Sequence, residues 1–233
     1  MRTLIDSWKK KANRYQELKK QKGVTLLEII IVLGIIGIIA AGVVVLAQRA
    51  FTTQDLTDAS DHTNTVRVAM TEGYRDAAEY PDAVSLVGVV KSELTSATSK
   101  TGPLPTLIKM GKLSAGEVFN GFSNDPFEVG PAKLSSGTNV KNKGFYVVVN
   151  GLETEECRNF ISQVGASWDY VEVKEAGAGE LAVGVGAVLD MTAAPSDTVL
   201  KSTTGEDLSA EHITDAKVCA FAGPNNAVVL GSR

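Results

Sequence analysis

Cysteine and histidine are scarce in this 233-residue chain: Cys157, Cys219, His62 and His212 are all it has. The four include no close-spaced pair of the kind that zinc sites use, so a metal centre is a poor reading. Catalytic signatures are missing as well. There is no His-Glu-x-x-His run and no phosphate loop ending in Gly-Lys-Ser, and the pairs Gly177-Ala178-Gly179 and Gly184-Val185-Gly186 lack the third glycine of a dinucleotide fingerprint. Nothing in the spacing of Ser, Asp and His selects a triad. The sequence therefore points away from an enzyme and implies no cofactor. Two further absences are local: no proline occurs between Val24 and Tyr80, and no charged side chain occurs between Glu28 and Arg49.

That charge-free stretch is the most informative segment. From Ile29 to Ala47 it runs for 19 residues, which at about 1.5 Å per residue gives a helix of roughly 28 Å, close to the hydrocarbon thickness of a bilayer. Before it lies a basic leader, residues 1–23, with eight Lys and Arg against Asp6 and Glu17. The excess of basic residues keeps that leader cytoplasmic and sends the residues after Arg49 across the membrane. Taking the leader's eight basic and two acidic residues from totals of 23 and 27 leaves 15 and 25. The remaining chain is acidic, which argues against nucleic acid as a partner, since phosphate binding needs clustered Lys and Arg.

A secretory signal places its cleavage site after the apolar core. Here Lys22-Gly23-Val24-Thr25-Leu26-Leu27-Glu28 places the glycine junction before it, and a carboxylate sits inside the start of the apolar helix. An export signal cut after Ala47 and a plain membrane anchor are the alternatives; neither gives Glu28 a task.

The run from Gly23 to Gly34 resembles the N-terminus of type IV prepilins, with glycine at the cleavage site and glutamate at the fifth mature position. The long leader, and Val24 where the type IVa branch has phenylalanine, make it similar to the type IVb major pilins, among them the toxin-coregulated pilus, CFA/III and longus subunits. Leu46-Ala47-Gln48-Arg49-Ala50-Phe51, Val68-Ala69-Met70-Thr71 and Tyr80-Pro81 extend the likeness. The resemblance implies cleavage between Gly23 and Val24 by a prepilin peptidase and N-methylation of Val24. It also implies a charge pair between Glu28 of one subunit and the Val24 amine of its neighbour, in a helical homopolymer. Further implied partners are the inner-membrane assembly machinery, minor pilins and, before assembly, the membrane itself. The precursor is then an inner-membrane protein and the product a surface pilus for adhesion, aggregation and host colonisation. A minor pilin, a type II secretion pseudopilin, and a monomeric membrane-anchored receptor-binding domain are the other functional readings.

Gly34, Gly37 and Ala41 fall at i, i+3 and i+7, a small-residue stripe that lets helices approach closely. Ordinary tolerance of glycine in membrane helices is the alternative, as snorkelling towards the interface is for Glu28. The expected fold is α+β, the type IV pilin fold: a long N-terminal helical stalk packed on an antiparallel β-sheet head. Residues 24–50 form the transmembrane and polymerisation helix. Residues 51–80 continue it as an amphipathic half, with Leu56, Ala59, Val66, Ala69, Met70, Tyr74 and Ala77 as its apolar stripe, stopping at Pro81. Residues 81–233 form the head, and within it 81–142 is a connecting loop with a helical patch around Leu104 to Phe119. Strands are expected at Gly144–Val149, Tyr170–Val173 and Ala227–Leu230, and a helix over Thr154–Val164 with Thr154 as a cap. The exported cysteines, alone in an oxidising compartment, are expected to pair, and type IV pilins likewise bracket a C-terminal surface region with a disulfide, here 157–219.

Overall fold

The computed structural model describes residues 24–96, 101–137, 140–205 and 207–233. The leader, Gly23 included, lies outside the described residues. The chain divides into two compact units, Met1–Ala50 and Phe51–Arg233.

One helix, α1 (Leu26–Tyr74), runs through both. Its first half is apolar all round, so every side chain from Val24 to Leu46 is exposed within the first unit. Its second half is amphipathic and buries Leu56, Ala59, Thr63, Val66, Ala69 and Met70 in the second unit's core. The helix ends six residues short of the expected Tyr80. Gly73, a poor helix former in the last turn, is where Leu107 packs against the backbone, and a side chain there would collide with it. The Tyr74 hydroxyl then donates to the Pro103 carbonyl at 3.2 Å, and the Tyr80 ring packs on Phe145 at a tilt of 44° with centroids 5.0 Å apart. These contacts turn the chain towards the sheet before Pro81 is reached.

The connecting region holds two short helices, α2 (Lys91–Leu94) and α3 (Pro103–Lys109). Proline at the first position of α3 suits a helix start, while Gly111, at φ +70°, ends the expected helical patch early. Next come β1 (Glu128–Lys133), β2 (Gly144–Leu152), α4 (Thr154–Val164), a 3₁₀ turn at Gly165–Ser167, β3 (Tyr170–Glu175), β4 (Leu189–Asp190), β5 (Val199–Lys201), α5 (Ala210–Ile213) and β6 (Asn226–Ser232). The cap of α4 is Glu153, whose N–H donates to Glu156 Oε2 at 2.9 Å, so Thr154 is the first helical residue instead of the cap.

The sheet runs in the order β4-β1-β2-β6-β3-β5. It is antiparallel except for β1 and β4, which pair in parallel and make it mixed. Both faces are covered. One packs against the second half of α1 and against α4 through Phe145, Val147, Val149, Val171, Val228 and Leu230. The other carries Ala132, Tyr146, Val148, Tyr170, Ala227 and Val229, packed with Leu189 and Met191 from the segment that returns across it. Gly231 is required there, because a Cβ would stand 2.9 Å from Tyr170 Cβ and 3.0 Å from the Met191 side chain.

Candidate assembly segment and head surface

The first turn of α1 carries the segment on which the resemblance rests. The Thr25 Oγ1 accepts the N–H of Glu28 at 3.2 Å, while its carbonyl accepts the first helical bond from Ile29, also at 3.2 Å. Thr25 is thus the N-cap. The pattern Thr-x-x-Glu before an apolar run signals such a cap in the sequence, although the prepilin resemblance draws attention only to Glu28. The Glu28 carboxylate is exposed and has no hydrogen bond or ion pair among the described residues. As the acidic residue of the first turn it faces the positive end of the helix dipole.

Val24 is 63% exposed and precedes the helix. Gly34, Gly37 and Ala41 lie on the helix with open space around both glycines. Isoleucine, leucine and valine side chains from Leu26 to Leu46 are all at least 45% exposed. By length and composition this helix is able to cross a membrane. Exposing more than a dozen such side chains to water costs some tens of kcal/mol at roughly 1.5 to 3 kcal/mol each, so lipid or protein must cover them.

In the second unit, Cys157 and Cys219 are joined with their Cα atoms 6.0 Å apart, closing a separation of 62 residues. Loop closure of that length contributes roughly 4 kcal/mol on a chain-entropy estimate. Arg158 adds to the closure from the neighbouring turn of α4, donating to the carbonyls of Asp215 and Val218 at 3.0 and 3.1 Å.

The polar residues that organise this region are ones the sequence does not single out. Glu128 is only 7% exposed, yet its carboxylate accepts the backbone N–H groups of Ala182 at 2.7 Å, Val183 at 3.2 Å and Gly184 at 2.7 Å, with the Tyr146 hydroxyl at 3.3 Å. Asp125 works in the same way, accepting from Gly88 and Gly179, both at 2.9 Å. Two carboxylates therefore hold the glycine-rich segment 177–186 onto the head. Asn226, fully buried, saturates its side chain by accepting from Phe221 N–H and donating to the carbonyls of Leu152 and Phe221. Tyr146 and Tyr170 are pushed far above the usual phenol range, first by burial and then by the carboxylates of Glu128 and Glu172 beside them, so both stay neutral donors. Burial also raises Glu172, against the attraction of Lys174 at 3.6 Å.

Among the described residues no group of three His, Cys, Asp or Glu side chains is arranged to hold a metal. A cavity of about 400 Å³ brings Ser209, His212 and Asp215 together with Asp207, Glu211, Pro195 and Leu200. The Ser209 oxygen there caps α5 by accepting the His212 backbone N–H at 3.2 Å.

Comparison with known proteins bears on both units. The family described as toxin-coregulated pilus subunit TcpA matches residues 106–228, and the prokaryotic N-terminal methylation motif matches residues 18–44. The chain is 36% identical over 177 residues to the toxin coregulated pilin of Vibrio cholerae serotype O1, covering 75% of this chain and 73% of that one. A second toxin coregulated pilin of Vibrio cholerae is 36% identical over 184 residues, covering 78% and 76%. Among solved structures, that of TcpA, a type IV pilin from the Vibrio cholerae El Tor biotype, superposes with a TM-score of 0.55 at 23% identity, over 77% of this chain and 99% of that one.

Proposed function

Because the chain belongs to the family of the toxin-coregulated pilus subunit TcpA, we propose that it is a major structural subunit of a type IVb pilus, a polymer component and not an enzyme. The observation that carries this reading is the pairing of a 19-residue charge-free and almost wholly exposed stretch of helix with one carboxylate at its start that has no partner among the described residues. In the precursor, the helix resides in the inner membrane with the leader on the cytoplasmic side. Cleavage between Gly23 and Val24 by a prepilin peptidase releases the leader and creates an α-amine, which is then methylated. The apolar half of α1 exchanges lipid for the equivalent helices of other copies, with Gly34, Gly37 and Ala41 allowing close approach. The heads form the outer surface, through which the filament serves adhesion, aggregation and colonisation.

The charge logic favours a specific register. A carboxylate inside an apolar assembly is costly alone and is stabilised by an amine from a neighbour, so subunits add where Glu28 meets a Val24 amine. A monomeric anchored domain has no use for that arrangement, and the long leader and the likeness to major subunits favour a major pilin over a minor pilin or secretion pseudopilin. Two measurements test the proposal together. Intact mass of the surface form should begin at Val24 with a methyl increment, and electron microscopy of expressing cells should show filaments made of this chain that a deletion removes. A mature chain beginning at Gln48, or anchored monomers without filaments, would overturn it.

A further inference from the structure

Cys219 holds a backbone conformation that its side chain disfavours. Its φ of +55° lies in the left-handed region, so contacts on either side must fix it there. Two side chains do so through bonds that involve neither sulfur. On the N-terminal side, Arg158 Nη2 donates to the carbonyls of Asp215 and Val218, the latter one residue before Cys219. That turn is closed in itself, since the Val218 N–H donates to the Asp215 carbonyl at 3.1 Å and the Asp215 carboxylate takes the Lys217 N–H at 2.9 Å. On the C-terminal side, Asn226 accepts the Phe221 N–H and donates to the Phe221 and Leu152 carbonyls, all at 3.1 Å. Leu152 ends β2 and Arg158 follows Cys157 in α4. Both brackets therefore tie 218–221 to the stretch of chain that carries the other cysteine.

We propose that Arg158, with Asn226 on the other flank, is the positioning residue for the Cys157–Cys219 bond. Its guanidinium holds the 215–218 turn on α4 in the dithiol chain, and the disulfide locks a juxtaposition that already exists. With glutathione disulfide as oxidant, the two thiols lose two protons and two electrons and one S–S bond forms in the chain. The oxidant's S–S bond breaks to give two glutathione thiols. Arg158 takes no part in that exchange. It raises the fraction of dithiol chain in which the two sulfurs face each other, and so shifts the equilibrium. Both cysteines are wholly buried, so the rate also depends on how the oxidant reaches them, and the equilibrium isolates the clamp. A guanidinium suits the task, because its charge strengthens both hydrogen bonds to the carbonyls. The coupling is reciprocal: whatever the clamp adds to the disulfide, the disulfide adds to the clamp. None of this requires the chain to polymerise.

The test uses the full-length chain in detergent micelles, brought to equilibrium in graded glutathione buffers from both the reduced and the oxidised side. Thiol alkylation and mass give the disulfide fraction. Arg158→Leu should lower the equilibrium constant for the disulfide about tenfold, and Arg158→Lys, which keeps a cationic donor, should fall between. A side chain that merely adds stability would weaken the dithiol and disulfide forms alike and leave the midpoint where it was. An unmoved midpoint in Arg158→Leu would therefore overturn the proposal. Hydrogen exchange gives a second reading that does not depend on how well that variant folds. With both cysteines replaced by serine and Arg158 retained, the Val218 and Phe221 amides should stay protected, and adding Arg158→Leu should speed exchange at Val218 about tenfold while β2 stays protected. If those two amides exchange as in a free chain while Arg158 is present, the site is not preformed and the proposal fails. Loss of protection in β2 of the serine chain would reject it equally, because the dithiol form would then hold no site at all.

Discussion

Glu172 shows how one side chain makes the head's stability depend on pH. Its carboxyl is 13% exposed, hydrogen-bonded by the Tyr170 hydroxyl at 3.1 Å and ion-paired with Lys174 at 3.6 Å, yet burial outweighs both and raises its titration above the ordinary range. A carboxyl raised on folding binds its proton more tightly in the folded state. Its contribution is therefore fully present below the ordinary glutamate value of about 4.3 and is lost as pH rises through the elevated folded value. Asp190 runs the other way, lowered first by the Thr192 hydroxyl, so its contribution is lost in acid. Replacing Glu172 with glutamine should accordingly leave stability unchanged below pH about 4 and raise it modestly near neutrality. Thermal unfolding of the two proteins between acid and neutral pH measures this, and a variant less stable at neutrality would show that the Lys174 pair outweighs the burial cost.

At the scale of elements, the Glu128 clamp makes a sharper prediction. Three N–H groups and a phenol converge on one buried carboxylate, and glutamine offers one acceptor oxygen and turns an amide N–H towards donors. Glu128→Gln should destabilise the head by about 2 to 4 kcal/mol, with hydrogen exchange rising first at Ala182, Val183 and Gly184. Uniform exchange across the head, with that loop no faster than β2, would refute the clamp. Such long-range partners, separated by 54 to 56 residues, leave no local mark, and so Glu128 is invisible in the sequence. The elements themselves are more legible where burial is simple. Phe145–Val149 and Ala227–Leu230 read as unbroken apolar runs because β2 and β6 are covered on both faces. By contrast β1 is hidden by Gly130 and Pro131, residues that argue against a strand. It accommodates them because β4 pairs only with Ala132 and Lys133, and because Gly130 lies against Tyr146 and Ala83, where a Cβ would come within 2.8 Å. The end of α1 falls short of Pro81 for a similar reason. Pro81 marks a stop in sequence, but the packing of Leu107 on Gly73, which ends the helix earlier, is a tertiary contact.

For the whole molecule, the question is what a copy gains by joining others, and Glu28 isolates it. On the reading proposed above, the apolar half of α1 supplies most of the drive and the Glu28 carboxylate supplies the register. Glu28→Ala removes a polar group from a span, so membrane insertion and cleavage should be retained. Assembly should fail, because the neighbour's amine is then buried without its partner. Loss of one member of a buried pair costs about 3 to 5 kcal/mol, enough to shift subunit addition by roughly two to four orders of magnitude. Each pairing takes its carboxylate and its amine from different chains. Co-expression with wild-type chain should therefore draw some Glu28→Ala subunits into filaments, at a level well below their share of the total. Quantifying tagged mutant chain in sheared pili measures that share. Normal filaments from the alanine variant alone would show that α1 packing sets the register without the charge, and would return Glu28 to a side chain that merely reaches for the membrane surface.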